Sequence, residues 1–185
     1  MKKSLLIMLI LVMTLLILSA VSSAAEIGTW EGYGGLGYNT YSLEEANDLA
    51  SNEVDSGISF LVGLKGWVRP KIAIGGEIES MEVEWEDDSY KAGTTGYLGT
   101  VNYEFIPGIS AFGAAGIYFV ELDGFGIDEG DSGFGFKLGV EGDYKISDSL
   151  GLQARALYRN NNVEVKDLEM DFSGFGLDGA LTYKF

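Results

Sequence analysis

From Trp30 to Phe185 apolar and polar residues alternate in long stretches, each broken by a brief interruption before the pattern resumes. Phe134, Phe136, Leu138, Val140, Tyr144 and Ile146 share one parity, and Lys137, Glu141, Asp143 and Lys145 share the other. Leu152, Ala154, Ala156 and Tyr158 oppose Gln153, Arg155 and Arg159. Ile58, Phe60, Val62 and Leu64 oppose Ser59, Gly63 and Lys65; Ile72, Ile74 and Ile78 oppose Glu77 and Glu79. Tyr97, Val101, Tyr103 and Phe105 oppose Thr100, Asn102 and Glu104, and Trp30, Leu36 and Tyr38 oppose Glu31 and Asn39. A period of two belongs to strands. The alternation predicts eight strands at about 28–39, 57–68, 71–84, 94–106, 109–121, 133–146, 150–160 and 171–185. The fifth is small or apolar on both faces, so its register stays open.

Strands of this length exceed the five or six residues usual in soluble sheets and match the ~9–11 tilted residues that cross a bilayer. The connections alternate. Val68-Arg69-Pro70-Lys71, Ile106-Pro107-Gly108-Ile109 and Ser147-Asp148-Ser149 read as tight turns, and both prolines sit in the first two. Longer connections are expected at about 40–56, 85–93, 122–132 and 161–170. An even strand count puts both ends of the sheet at the short-turn rim. Alternation alone leaves two solutions. A soluble barrel turns its apolar set inward, whereas a membrane barrel turns it to lipid and its charges to the lumen. Strand length favours the second. So do the aromatics near the short-turn ends, Trp30, Tyr103, Phe105, Tyr144, Tyr183 and Phe185. Trp67 has lumenal parity.

The amino-terminal end agrees. Met1-Lys2-Lys3 is followed by an apolar run from Leu5 to Leu18 and by the small residues Ser19 to Ala25. The run is too short to span a bilayer and reads as a secretory signal peptide, residues 1–25, leaving one domain over 26–185. Losing Lys2 and Lys3 takes the formal charge from −16 to −18, which argues against nucleic-acid binding. The chain has no cysteine, so lipoprotein anchoring, disulfides and thiolate chemistry are excluded.

The last strand reads Phe175, Leu177, Gly179, Leu181, Tyr183, Phe185 on one parity and stops on the aromatic ring. This ending resembles the carboxy-terminal assembly signal of bacterial outer-membrane barrels, with Leu181, Tyr183 and Phe185 at its key positions. Val140-Glu141-Gly142-Asp143-Tyr144-Lys145-Ile146-Ser147-Asp148-Ser149-Leu150-Gly151-Leu152 is similar to the strand-turn-strand of the same barrels. With the leader, three tight turns and four longer loops, the chain resembles the small OmpA/OmpX-type outer-membrane proteins. The resemblance implies an all-β, eight-stranded antiparallel transmembrane β-barrel. It places the chain in the cell outer membrane, among outer-membrane lipid and lipopolysaccharide, and implies delivery to the barrel assembly machinery through its last strand. It does not fix a role, because such barrels include adhesins, enzymes, channels and structural proteins.

The lumenal parity collects Glu31, Lys65, Glu77, Glu79, Glu104, Lys137, Glu141, Asp143, Lys145, Arg155, Arg159, Asp178 and Lys184. Eight strands enclose only enough room for side chains. Charges of both signs there favour a paired network that plugs the barrel, with a narrow ion path as the alternative. The enzymes known on this fold use a histidine, and this chain has none. Gly32-Tyr33-Gly34-Gly35-Leu36-Gly37 fits a dinucleotide-binding pattern but lies inside a strand, without the required βαβ unit. No catalytic residue, cofactor or metal ligand is assigned. The long connections are acidic: Glu44, Glu45, Asp48, Glu53 and Asp55; Glu86, Asp87 and Asp88; Asp123, Asp128, Glu129 and Asp131; Glu164, Asp167 and Glu169. Ser42 and Glu45 suggest a capped helical turn over 43–50. Such carboxylates suit Ca²⁺ or Mg²⁺ bridges to lipopolysaccharide phosphates, although none shows EF-hand spacing. The expected function is structural or surface-interacting, with a small porin-like channel as the alternative.

Overall fold

The computed structural model describes residues 27–41, 55–84, 91–124, 127–165 and 168–185. The leader and the proposed turn over 43–50 lie outside these residues. Among the described residues nine strands form: β1 (Trp30–Thr40), β2 (Ser56–Arg69), β3 (Ile72–Glu84), β4 (Lys91–Ile106), β5 (Ile109–Gly124), β6 (Ile127–Lys145), β7 (Leu150–Val165), β8 (Leu168–Asp171) and β9 (Gly174–Lys184). All pair antiparallel. The ladder runs from β6 through β5, β4, β3, β2 and β1 to β9 and β7, and β6 pairs β7 to close the ring. β8 and β9 both pair β7 and make one stave broken at Phe172 and Ser173, so the closed barrel has eight staves. Closure leaves no sheet edge at bilayer depth, where unpaired backbone groups are costly.

The faces follow the alternation. Ile58, Phe60, Val62 and Leu64 of β2 are exposed on the outside, while Ser59 and Lys65 are buried inside. The fifth stave is settled: Phe112, Ala114, Tyr118 and Val120 point inward, and Ile117 and Phe119 outward. Aromatic rings ring both rims. Trp30, Tyr103, Phe105, Tyr144, Tyr183 and Phe185 are exposed at the short-turn side, and Tyr38, Phe60, Tyr97, Phe119, Phe134, Tyr158 and Phe175 towards the other. The stretch of β6 from Phe134 to Tyr144 covers roughly 25 Å along the normal, at about 3.3 Å per residue and ~40° tilt. That is the height of an outer-membrane apolar band.

Two of the expected long connections are strand instead. β5 and β6 pair out to Gly124–Ile127, and β7 and β8 out to Val165–Leu168. The reason is a reversal of polarity beyond the outer belt. Within the belts inward positions are polar and outward ones apolar. Above them Met81, Val83, Val120, Leu122, Val163 and Val165 are buried inside, while Glu82, Glu121 and Glu164 are exposed outside. Once the outer surface meets water, the usual arrangement of a soluble sheet applies. At the other rim Gly108 follows Pro107 with φ +75°, a left-handed conformation that makes glycine the fitting residue. Irregular register near Trp67–Arg69 and Glu104–Ile106 accompanies two of the tight turns.

Candidate functional site

The interior is built in layers along the barrel axis. Each inward side chain arrives from a stave whose neighbours on the same strand face lipid. Nearest the short turns, Lys65 of β2 reaches across to Glu141 of β6 at 2.7 Å. Glu31 lies 3.1 Å and Asp143 3.6 Å from the same Nζ. Asn102 Nδ2 donates to Glu141 at 3.0 Å, and Gln153 Nε2 to Asp143 at 3.2 Å. One ammonium thus meets three carboxylates.

In the middle layer Glu77 receives Lys137, Arg155 Nη1 at 2.6 Å and the Tyr33 hydroxyl at 2.9 Å. Arg155 also holds Asp178, with Nε at 3.1 Å and Nη2 at 2.9 Å from Oδ2. Its guanidinium lies 5.6 Å from the Tyr33 ring centroid and 5.1 Å from that of Phe112, within cation–π range. Above it Glu79 receives Arg159 and, at 3.2 Å, Lys137. Arg159 Nη2 donates to Asn39 Oδ1 at 3.1 Å, and Asn39 Nδ2 to Ser59 Oγ at 2.9 Å. Across these two layers Lys137, Arg155 and Arg159 balance Glu77, Glu79 and Asp178. Glu77 and Glu79 are no more than 3% exposed, and Lys137 is fully buried. Charges so removed from water persist only when paired and hydrogen-bonded.

Glycines open the space for the large inward rings. A Cβ on Gly135 would come within 2.6 Å of the Tyr118 ring, and one on Gly96 within 2.5 Å. Tyr118 therefore lies across two adjacent staves, and its hydroxyl reaches Glu79 at 3.4 Å.

Beyond the charged layers the interior turns apolar. Tyr41, Met81, Val83, Ala92, Leu98, Ala114, Tyr118, Val120, Leu122, Val163, Val165, Met170 and Phe172 form one buried cluster. The break in the eighth stave supplies part of it. The Phe172 N–H donates to Asn161 O at 2.8 Å, and the ring meets Tyr41 edge-on at 5.6 Å. The Ser173 hydroxyl accepts the Asn161 N–H at 3.0 Å, and the Ser173 N–H donates to Asp171 at 2.8 Å. At the opposite mouth Glu31, Trp67, Glu104, Asp143, Lys145 and Lys184 help line a polar recess of about 80 Å³.

Of the expected lumenal residues, the ion pairs join Glu31, Lys65, Glu77, Glu79, Lys137, Glu141, Asp143, Arg155, Arg159 and Asp178. Glu104 stands apart, because its carboxylate accepts the Gly108 N–H at 2.8 Å and caps the turn. Lys145 reaches outward to Asp148 at 2.8 Å, and that ammonium holds the exposed Asp148 carboxyl below the usual aspartate range. Leu181, Tyr183 and Phe185 are all exposed on the lipid face, and the Phe185 N–H donates to Trp30 O at 3.0 Å. The apolar cluster is absent from the sequence expectation. Its signal is the apolar–acidic alternation of Met81-Glu82-Val83, Val120-Glu121-Leu122 and Val163-Glu164-Val165, whose phase in the first and last is opposite to that of the membrane stretch of the same strand.

The sequence matches the outer membrane protein beta-barrel domain over residues 11–185. No curated protein matches it. Among solved structures the fold is similar to Ail, the attachment invasion locus protein of Yersinia pestis. That comparison has a TM-score of 0.56 and 11% identity, and covers 86% of this chain and 100% of the other. Ail has also been solved with the heparin analogue sucrose octasulfate, at TM-score 0.56, 12% identity and 86% and 100% coverage. Neisserial surface protein A is similar at TM-score 0.57 and 13% identity, over 85% and 99% of the two chains.

Proposed function

The chain belongs to the outer membrane protein β-barrel domain family, and from that premise we propose that it is a closed barrel with a structural or surface-interacting role. One observation carries the reading: ion pairs that cross the lumen lie beneath an apolar cluster that fills its outer end. Ions passing through would have to break buried pairs and then cross a dry segment, both costly. A non-enzymatic role fits the same interior. Lys137, Arg155 and Arg159 are all bound to carboxylates, and the chain has no histidine to act as a base.

The acidic outer segments are the surface on which recognition is proposed. Ail is solved with a polyanion analogue. In the longer outer segments of this chain, however, the bases are only Lys91 and Lys166. Polyanions are therefore expected to be repelled, and divalent cations or basic partners attracted. Export through the leader and assembly through Leu181, Tyr183 and Phe185 complete the proposal.

Single-channel recording in planar bilayers tests it. Protein whose insertion is verified by heat-modifiable migration should leave the bilayer silent. Stepwise, cation-selective openings of the inserted protein would favour porin-like conduction and overturn the closed-barrel reading.

A further inference from the structure

The bases of the chain are sorted by place. Lys65, Lys137, Arg155 and Arg159 are buried in the interior. Lys145 and Lys184 line the polar recess inside the short-turn mouth. Lys2 and Lys3 belong to the expected leader and Lys91 and Lys166 to the outer segments, which leaves Arg69 and Lys71, two residues apart on the β2–β3 turn and both exposed. Pro70 between them stiffens the turn. Among the described residues neither cation is ion-paired. The neighbouring carboxylates are engaged elsewhere: Glu104, whose N–H bonds Lys71 O at 2.8 Å, turns to Gly108, and Glu31 turns to Lys65.

The turn stands within the inner aromatic belt. Trp30 packs over Gly66 on one side, and Ile72 pairs with Tyr103 on the other. Trp30, Val68 and Tyr103 are all close to half exposed towards lipid. Aromatic rings of this kind mark the level of lipid headgroups. In this family the short turns face the periplasm. An arginine fork and an ammonium are thus both exposed on one short turn at the depth of inner-leaflet phosphates.

We propose that the Arg69-Pro70-Lys71 turn binds the phosphate of an anionic phospholipid in the inner leaflet. The proposal rests on the membrane orientation given above. It runs against the overall charge of −16, which repels anionic lipid. A preference for such lipid therefore has to come from a local site.

Native mass spectrometry of the full-length protein, released from detergent with an equimolar mixture of phosphatidylglycerol and phosphatidylcholine, reads the first bound lipid. Gel migration before and after heating first establishes that each sample is a folded barrel, so a misfolded sample counts against the membrane reading and not against the lipid site. We expect phosphatidylglycerol to lead by about fivefold for each basic residue at an anionic surface, so by roughly 25-fold for the two together. The ratio should fall to about one in the R69Q/K71Q double variant. It should persist in K145Q/K184Q, which removes the recess cations. An equal or reversed ratio in the wild-type protein overturns the proposal. So does a preference that survives R69Q/K71Q.

Discussion

Replacing Glu77 with Gln tests the interior most directly. The substitution keeps the shape and removes one charge. Lys137 and Arg155 then share the remaining carboxylates, Glu79 and Asp178, and the two balanced layers carry one uncompensated positive charge. The Tyr33 hydroxyl still finds an amide oxygen where its carboxylate partner stood at 2.9 Å. Breaking a buried pair by removing one partner costs about 3–5 kcal/mol, mostly because the other charge is stranded. Replacing the whole pair is far milder. E77Q combined with K137M restores neutrality and should recover all but ~1–2 kcal/mol of the loss. Urea unfolding in lipid vesicles, followed by tryptophan fluorescence, measures both. The loss in E77Q should appear in the midpoint, with the slope against urea unchanged. An E77Q barrel within ~1 kcal/mol of the wild type would refute the reasoning, as would a double variant less stable than E77Q.

Phe172→Ala removes a fully buried ring from the outer apolar cluster and should cost about 3–5 kcal/mol in the same unfolding assay. Gly135→Ala sets a methyl against the Tyr118 ring, where a Cβ has only 2.6 Å. It should cost about 1–3 kcal/mol in the wild-type barrel and almost nothing when added to Y118A, which is itself destabilised but no longer presents the ring. Asp148 should titrate below an ordinary aspartate by carboxyl-resolved NMR, and K145M should return it to the ordinary range. Because its folded value is depressed, the Lys145–Asp148 contact contributes above the unfolded aspartate pKa and fades as pH falls through the folded one. Phe185→Ser should lower the amount assembled in cells and also cost the refolded protein about 1–2 kcal/mol, since a ring facing lipid in the aromatic belt gives way to a polar hydroxyl.

The alternation discloses the staves and their faces because a one-residue slip would expose every lumenal charge to lipid, so register and polarity are bound together. Ile58-Ser59-Phe60 and Arg155-Ala156-Leu157-Tyr158-Arg159 are legible for that reason. Two features are harder to see. The strands continue past the bilayer with their polarity exchanged, so Leu122-Asp123 reads as the start of an acidic loop although it is still ladder. The choice of partners inside the lumen depends on which staves stand opposite one another, and that follows from closure alone. Nothing in the local sequence separates Glu104, which caps a turn, from Glu77, which joins two cations. The break at Phe172-Ser173 leaves only a change of apolar parity, from Leu168, Met170 and Phe172 to Phe175 and Leu177, which is the same signal that the polarity exchange leaves in unbroken staves.

The lumenal pairs also constrain how the barrel can form. Lys65 and Glu141 are 76 residues apart, and Glu77 and Arg155 are 78 apart. They come from β2 and β6, and from β3 and β7, staves on opposite sides of the ring. Hairpins and half-curled sheets hold neither pair. Their concave face instead presents single charges to the medium in which they form. Pairs between adjacent staves, Glu31–Lys65 and Arg155–Asp178, can form before closure, but the cross-lumen charges stay unpaired until the ends meet, when those pairs are made together. Partly closed intermediates are penalised in proportion to how much of the ring they have built, and closure is a late, all-or-none step with a high barrier on its open side.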